Sequence, residues 1–404
     1  MSSRSLLCAF CLVLVLSSCV QAQAPPNISR ADGGDHIDKQ IALFDYLRDR
    51  VGGALNVQTV AGAKGDCVAN DTAAIQATIV AAPTGAIVEF PRTTACYKVS
   101  APITVDKPLT LRGAGAEIRQ TVANTKLFVV TSSYVTIEGL TLVGVKTDGQ
   151  LNERAIDVTG PSAAAPITHL TILGVTIRNW GGYGVYFENV TDFHIDHNAI
   201  SDIYYAAILG ASVLRGTTSF NLINNVTAPT LTNAYGIALT RLSTTDSLSL
   251  QPRSADVVMQ SNIVSNIPGW EALDTHCGER ITIVDNMVTA TAIGITVGRC
   301  ANAAGTSELY APQDVSIVNN FLDSLSSTGT YGNGINITGA EAPDTTLVEY
   351  AKGITVSGNT VRRYGDPANN IGGAVFLRDT QGAVVSNNTI AEPGIHGIQI
   401  SENN

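Results

Sequence analysis

Five times along the chain a glycine is followed by two apolar residues separated by one variable position. The copies are Gly184-Val185-Tyr186-Phe187, Gly236-Ile237-Ala238-Leu239, Gly294-Ile295-Thr296-Val297, Gly334-Ile335-Asn336-Ile337 and Gly397-Ile398-Gln399-Ile400. Such alternation marks a strand buried on one face. A second set of strand phrases lies between the copies, among them Val135-Thr136-Ile137, Leu170-Thr171-Ile172, Ile281-Thr282-Ile283, Val315-Ser316-Ile317 and Ile354-Thr355-Val356. Most pair with a glycine phrase further on, so one repeat carries at least two strands. The repeats are about 20 to 45 residues long and unequal, which is the range of stacked-repeat folds. This returning pair of phrases predicts an all-β solenoid. Asparagines Asn198, Asn224, Asn262, Asn286, Asn320, Asn359 and Asn388 recur at matching turns. They predict a ladder of side-chain amides bonded from coil to coil, a structural role.

A long solenoid needs much apolar side chain and few charges. The sequence meets this, with 45% hydrophobic and 14% charged residues among 404. Net charge is −10 without a basic run, which argues against nucleic acid as partner. An acidic polymer stays open, since a local arginine cluster binds one despite the global sign. Residues 1–24 read as an export signal: Arg4 precedes an apolar run over 6–16, too short to span a bilayer. Ala22-Gln23-Ala24 fits a cleavage site, and Leu16-Ser17-Ser18-Cys19 fits a bacterial lipobox that would leave a lipid anchor on Cys19. Both outcomes put the mature chain outside the cytoplasm: secreted, periplasmic or anchored at the outer membrane. Three of seven cysteines lie in the export segment, leaving Cys67, Cys96, Cys277 and Cys300. Four cysteines in an exported chain predict two disulfides, here Cys67 with Cys96 and Cys277 with Cys300. No Cys-x-x-Cys spacing exists among them to favour zinc.

After a polar linker, residues 37–51 have helical spacing, so 25–53 is expected to be linker and helix. A short strand is expected over 54–60. Asp71 or Thr72 would cap a helix running to about Ala82, with Ile75, Ile79 and Val80 on its buried face. Then come Gly85-Ala86-Ile87-Val88-Glu89-Phe90-Pro91 and Leu109-Thr110-Leu111-Arg112-Gly113. A Gly-Asp loop at Gly65-Asp66, an Asp-Thr-Ala-Ala-Ile-Gln helix start, a Val-x-Phe-Pro strand and a Leu-x-Gly-x-Gly turn together resemble the opening of pectate-lyase-like β-helix proteins. That superfamily includes tailspikes, rhamnogalacturonases, uronan lyases and epimerases. The resemblance implies a single-stranded right-handed parallel β-helix over 54–404, with an N-terminal cap and its capping helix within 54–115. It makes Asp66 and Asp71 loop and cap residues. Polar stretches at 242–256 and 301–312 interrupt neighbouring coils and are expected to build a binding face. The last phrase ends without a capping segment, so an association partner or further chain is expected beyond it.

The repeat template assigns side chains to faces. In Gly269-Trp270-Glu271-Ala272-Leu273-Asp274-Thr275-His276-Cys277-Gly278, Ala272 takes the glycine place, and Leu273 and Thr275 the inward places. Asp274 and His276 then share the outward face, where other copies mostly carry small or uncharged residues. Arg241 lies five past Gly236, Cys277 five past Ala272 and Arg299 five past Gly294. With adjacent coils about 4.8 Å apart, the two arginines flank this strand end and Cys300 meets Cys277 across one coil. Trp270, Glu271 and Arg280 sit at its edges as substrate contacts, and Tyr235 begins the preceding coil.

An aspartate and a histidine between two arginines suit an acidic sugar chain. Arginine offsets a uronate carboxylate bidentately, and the C5 proton beside it becomes more acidic. His276 is the candidate base or acid, Asp274 its orienting partner and Tyr235 a second proton carrier. The Asp-x-His element is similar to a short motif of β-helix alginate epimerases, which implies proton abstraction at C5. The expected function is an exported enzyme acting on a uronate-containing polysaccharide by β-elimination. The alternatives are C5 epimerisation, hydrolysis through Glu188, Glu271 or Asp274, and a non-catalytic carbohydrate-binding β-helix. No metal ligands are assigned and the sequence names no certain cofactor; Ca2+ is left open. His194, Asp196 and His197 read as solvated surface, with a metal site as the alternative.

Overall fold

The computed structural model describes residues 54–241 except 232, then 251–300, 310–325, 332–341, 348–366 and 372–401. The export segment with Cys19, the linker and helix expected at 25–53, and residues 242–250 and 301–309 of the two interrupting loops lie outside the described residues. From Leu55 onward the chain forms one unit.

Short strands stack in register, coil over coil, into a right-handed parallel β-helix. One ladder of twelve strands runs from Ala54–Asn56 through Ile167–Leu173 and Ala255–Gln260 to Val384–Ser386. A second carries Thr176–Trp180, Ala199–Ile203 and Leu222–Val226. A third carries Arg154–Thr159, Tyr183–Glu188, Ala206–Ala211 and Tyr235–Thr240. The second and third meet in Ile263–His276 and Met287–Gly298, long strands that pair with partners of both. The glycine phrases of the sequence form the third ladder. Alternate Ile, Val and Leu side chains fill the interior, together with the fully buried Trp180 and an edge-to-face pair of Phe187 and Phe193 at 4.8 Å. Each coil buries its apolar face only against its neighbours, which makes stacking the source of stability.

The amide ladder is present, with one correction. Asn198, Asn221, Asn262, Asn286, Asn320, Asn359 and Asn388 form it, each Nδ2 donating to the next Oδ1 at 2.9–3.0 Å. Each Nδ2 from Asn198 on also donates to a backbone carbonyl one coil back, as Asn286 does to Met259 O at 3.0 Å. Asn224 is not a member. It stands within Leu222–Val226 and accepts from Ser265 Oγ at 3.0 Å. A buried turn amide needs every group paired, and only position 221 is held within that stack.

The N-terminal cap differs in detail from its expectation. The first strand is only Ala54–Asn56, and Val57–Ala61 is a short helix that the Asn56 side chain starts by accepting from Gln58 N at 2.8 Å. Gly62, at φ 77°, ends it. Thr72–Ala81 is a helix as expected, with Ile75, Thr78 and Ile79 buried; Val80 is 65% exposed and belongs to the outer face. Asp71 stands at the N-cap, but its carboxylate accepts from Lys64 N at 2.6 Å and Gly65 N at 3.1 Å, tying down the Gly-Asp loop. Asn70 Oδ1 accepts from Thr72 N at 3.1 Å instead. Asp66 accepts from Val68 N and Ala69 N in its own turn. Cys67 and Cys96 are joined, with Cα atoms 4.7 Å apart.

Candidate active site

Strict alternation would turn Glu271 and Asp274, three residues apart, to opposite faces. The corner in Ile263–His276 prevents this. The pairing shifts between Ile267 and Glu271, and after that shift Ala272 and Leu273 both pack into the core. Two consecutive inward residues leave Glu271 and Asp274 together on the outside, with His276 next along. One ligand-type atom from each of these three lies within 4.8 Å of the others.

The outer face here is covered, not open. Asp274 is 1% exposed and Glu271 4%, whereas the His276 side chain keeps 30% exposure. Tyr235 stands beside Glu271 in the preceding coil, and Tyr205 packs edge-on against Tyr235 at 5.6 Å. Trp270 packs against the same aromatic group and against the core. Thr296 stands beside Asp274 in the following coil and donates from Oγ1 to Glu271 Oε1 at 2.9 Å. His276 Nε2 lies 3.2 Å from Asp274 Oδ1. Its ring lies over Gly298, where a Cβ would come within 3.4 Å of Cδ2. With Nε2 turned to Asp274, Nδ1 is the nitrogen left for an outside proton.

Burial sets the charges. It pushes the Glu271 carboxyl up to about 7, opposed in part by hydrogen bonding from Thr296 and Trp270. It raises Asp274 well above the usual carboxylate range, and the neighbouring Glu271 adds to the rise. Burial pushes His276 down to about 4, so the imidazole is neutral at neutral pH. Burial is the one cause of that depression, and no neighbouring charge offsets it. Burial, then Asp274 and Glu271, push the Tyr235 phenol far up and keep it protonated; Tyr205 shifts the same way for the same reasons. Tyr235 Oη accepts from Asn233 Nδ2 at 2.7 Å, which leaves its own proton free to donate.

The structure therefore brings together Asp274, His276, Glu271, Tyr235 and Trp270. It does not bring Arg241 or Arg280 to them in the expected way. Arg241 is 3% exposed, and its guanidinium stacks on Tyr310 at 4.5 Å beside the Cys277–Cys300 pair. Arg299 is exposed at the strand end. Arg280 lies on Glu279–Val284 in the twelve-stranded ladder, where it pairs with Asp256 at 2.5 Å and with Glu279. The expectation that Asp274 stands open on a ridge is likewise corrected, because the tyrosines roof it. Cys277 and Cys300 are joined with Cα atoms 5.1 Å apart, and Cys300 Sγ lies 3.3 Å from His276 O. Glu188 shares His276's row three coils away and accepts from Tyr186 Oη at 2.8 Å. On the twelve-stranded ladder His194 and Asp196 both bond Thr217, and His197 stacks on Phe220 at 4.9 Å. Sequence reasoning missed Tyr205 and Thr296. The aromatic doublet Tyr204-Tyr205 directly before a strand phrase was the available signal for the first.

No protein-family model matches the chain, and no curated relative does. Solved structures do share its fold. The A-module of the mannuronan C-5 epimerase AlgE6 from Azotobacter vinelandii is 16% identical, covers 87% of this chain and 99% of its own, and has a TM-score of 0.57. The AlgE4 A-module of the same organism is 18% identical, covers 86% and 97%, and has a TM-score of 0.57. The catalytic unit of an α-1,3-glucanase from Streptomyces thermodiastaticus is 15% identical, covers 86% and 69%, and has a TM-score of 0.54.

Proposed function

We propose that the chain is an exported enzyme that acts on a uronate-containing polysaccharide by β-elimination. The observation that carries this reading is a neutral, solvent-edged imidazole, His276, backed by two buried acids and a protonated tyrosine. His276 Nδ1 takes the proton from C5 of the uronate. The released electron pair forms the C4–C5 double bond, the C4–O glycosidic bond breaks, and the leaving oxygen receives a proton from Tyr235. Asp274, buried behind the ring with Oδ1 3.2 Å from Nε2, positions His276, and it and Glu271 lie too deep to touch the sugar. Structural neighbours named for mannuronan C-5 epimerisation and for α-1,3-glucan cleavage support a polysaccharide as substrate. Epimerisation shares the first step and differs in returning a proton to the other face of C5. The two disulfides support export, since such bonds persist in oxidising compartments.

One observation favours hydrolysis as a second reading: Glu271 and Asp274 stand as a close carboxyl pair, the equipment of glycosidases. The test is ultraviolet absorbance of unsaturated uronates while the protein meets alginate, pectate and glucuronan, with Ca2+ and with EDTA. A rise that His276→Ala abolishes is the expected result. New reducing ends without absorbance would replace elimination by hydrolysis. Proton NMR of recovered polymer detects epimerisation. Binding without any product would remove the enzyme reading.

A further inference from the structure

Glu271, Asp274 and His276 have a geometry that proton transfer alone does not require. His276 Nε2 and Asp274 Oδ1 lie 3.2 Å apart, yet Oδ1 takes part in no aligned hydrogen bond. Two ligands of one ion with bonds of about 2.1 Å stand roughly 3.0–3.4 Å apart, the edge of an octahedron or tetrahedron. Glu271 offers a second oxygen of the same kind. The Thr296 hydroxyl fixes its Oε1 at 2.9 Å, and the Trp270 indole bonds the same carboxyl. A carboxylate held in place by outer hydrogen bonds is how ligands are oriented around a metal. All three donor atoms fall within 4.8 Å of one another, so small side-chain rotations close the site.

We propose that Glu271, Asp274 and His276 form a mononuclear centre for a divalent first-row transition metal, and that its occupancy shuts off proton transfer at His276. The donor set selects the class of metal. Imidazole with two carboxylates suits Zn2+ or Mn2+, whereas Ca2+ seeks six to eight oxygens and gains nothing from the ring nitrogen. The exposed edge of His276 gives the ion a way in. The consequence for catalysis follows from the imidazole, and this part rests on the proposed role of His276. A metal on Nε2 fixes the ring proton on Nδ1. The nitrogen that would accept the sugar's proton is then no longer basic. Metal and substrate proton compete through one ring.

The test uses the full chain, stripped with EDTA and then incubated with Zn2+ or with Ca2+ before gel filtration and metal analysis. One Zn2+ per chain and no retained Ca2+ are expected. Asp274→Asn should retain at least tenfold less Zn2+, with its folding checked by circular dichroism. Mn2+ bound to the unaltered protein should show nitrogen coupling in pulsed electron paramagnetic resonance. That coupling keeps the proposal testable if the variant does not fold. Equal Zn2+ retention by wild type and Asp274→Asn, no retention by either, or Mn2+ without nitrogen coupling would each overturn the centre. Polymer turnover separates this from the proposed function. Product formed by the EDTA-treated protein, with no zinc retained, sinks the metal centre and leaves elimination standing. Zinc retained as described, with no product from any polymer, leaves the centre and removes the elimination reading. Turnover that added Zn2+ abolishes and EDTA restores is the outcome expected when both hold; turnover unaffected by bound Zn2+ overturns the inhibition.

Discussion

Replacing Glu271 by glutamine tests whether the buried carboxyl is held at a cost. Glutamine keeps the shape and the oxygen that accepts from Thr296 Oγ1, and it cannot ionise. In the folded protein burial raises Glu271 from its ordinary 4.5 to about 7. Below the ordinary value both folded and unfolded chains carry the proton, so the group makes no difference. As pH rises, the unfolded chain releases its proton first, and stability is lost until the folded carboxyl ionises as well. Each tenfold change in proton affinity is worth about 1.4 kcal/mol, so the loss reaches about 3 kcal/mol above neutrality. Spread over the unfolding entropy of a body of about 350 residues, that equals roughly 4 °C in melting temperature. His276 works in the opposite sense. Its depressed value makes stability fall as pH drops from 6.5 through about 4, so the wild-type profile alone mixes two effects. The difference between Glu271→Gln and wild type removes the His276 contribution and reports the carboxyl together with its effect on Asp274. Calorimetry in EDTA should find the two alike near pH 4 and the variant about 3 kcal/mol more stable near pH 8.5. A difference that is constant with pH, or larger in acid, would refute the reasoning.

Asn286→Ala removes the acceptor of Asn262 N and Nδ2 and the donor to Met259 O and Asn320 Oδ1. Leaving several buried groups unpaired should cost about 2–4 kcal/mol, read as a drop in thermal midpoint by circular dichroism. Gly298→Val should cut turnover at least tenfold while the melting temperature holds, because a branched side chain enters the space over which His276 lies; kinetics and calorimetry on the same sample check it. Arg280→Ala should leave turnover unchanged, since its guanidinium is committed to Asp256 on another face; a substantial loss of activity would return Arg280 to the site.

Much of the fold was legible because the interior rule is simple. Gly236-Ile237-Ala238-Leu239 and its copies needed only alternation to be recognised as stacked strands, and Cys277 with Cys300 followed from counting one coil. The chemistry was less legible because it depends on where alternation fails. Glu271 and Asp274 become neighbours through the two successive inward residues Ala272 and Leu273, a corner that also turns Ala207 and Ile208 inward two coils earlier and that simple alternation does not show. Asn221 was hidden for a related reason. Two asparagines three apart look alike in sequence, and only the turn geometry chooses between them.

The expectation for Arg241 failed at a different level. Register places Arg241 and Arg299 beside the strand end, and there they are. Register does not say what a long side chain will reach. Arg241 found Tyr310, brought in from a loop far along the chain, and became buried against it. The site's charge is therefore governed by burial under Tyr205 and Tyr235 and not by flanking cations. A solenoid makes this available because each coil is roofed by residues of its neighbours. Acids on one coil are dehydrated by aromatics on the preceding one, and the protonation state of Asp274 becomes a property of the stack, beyond what any single repeat encodes.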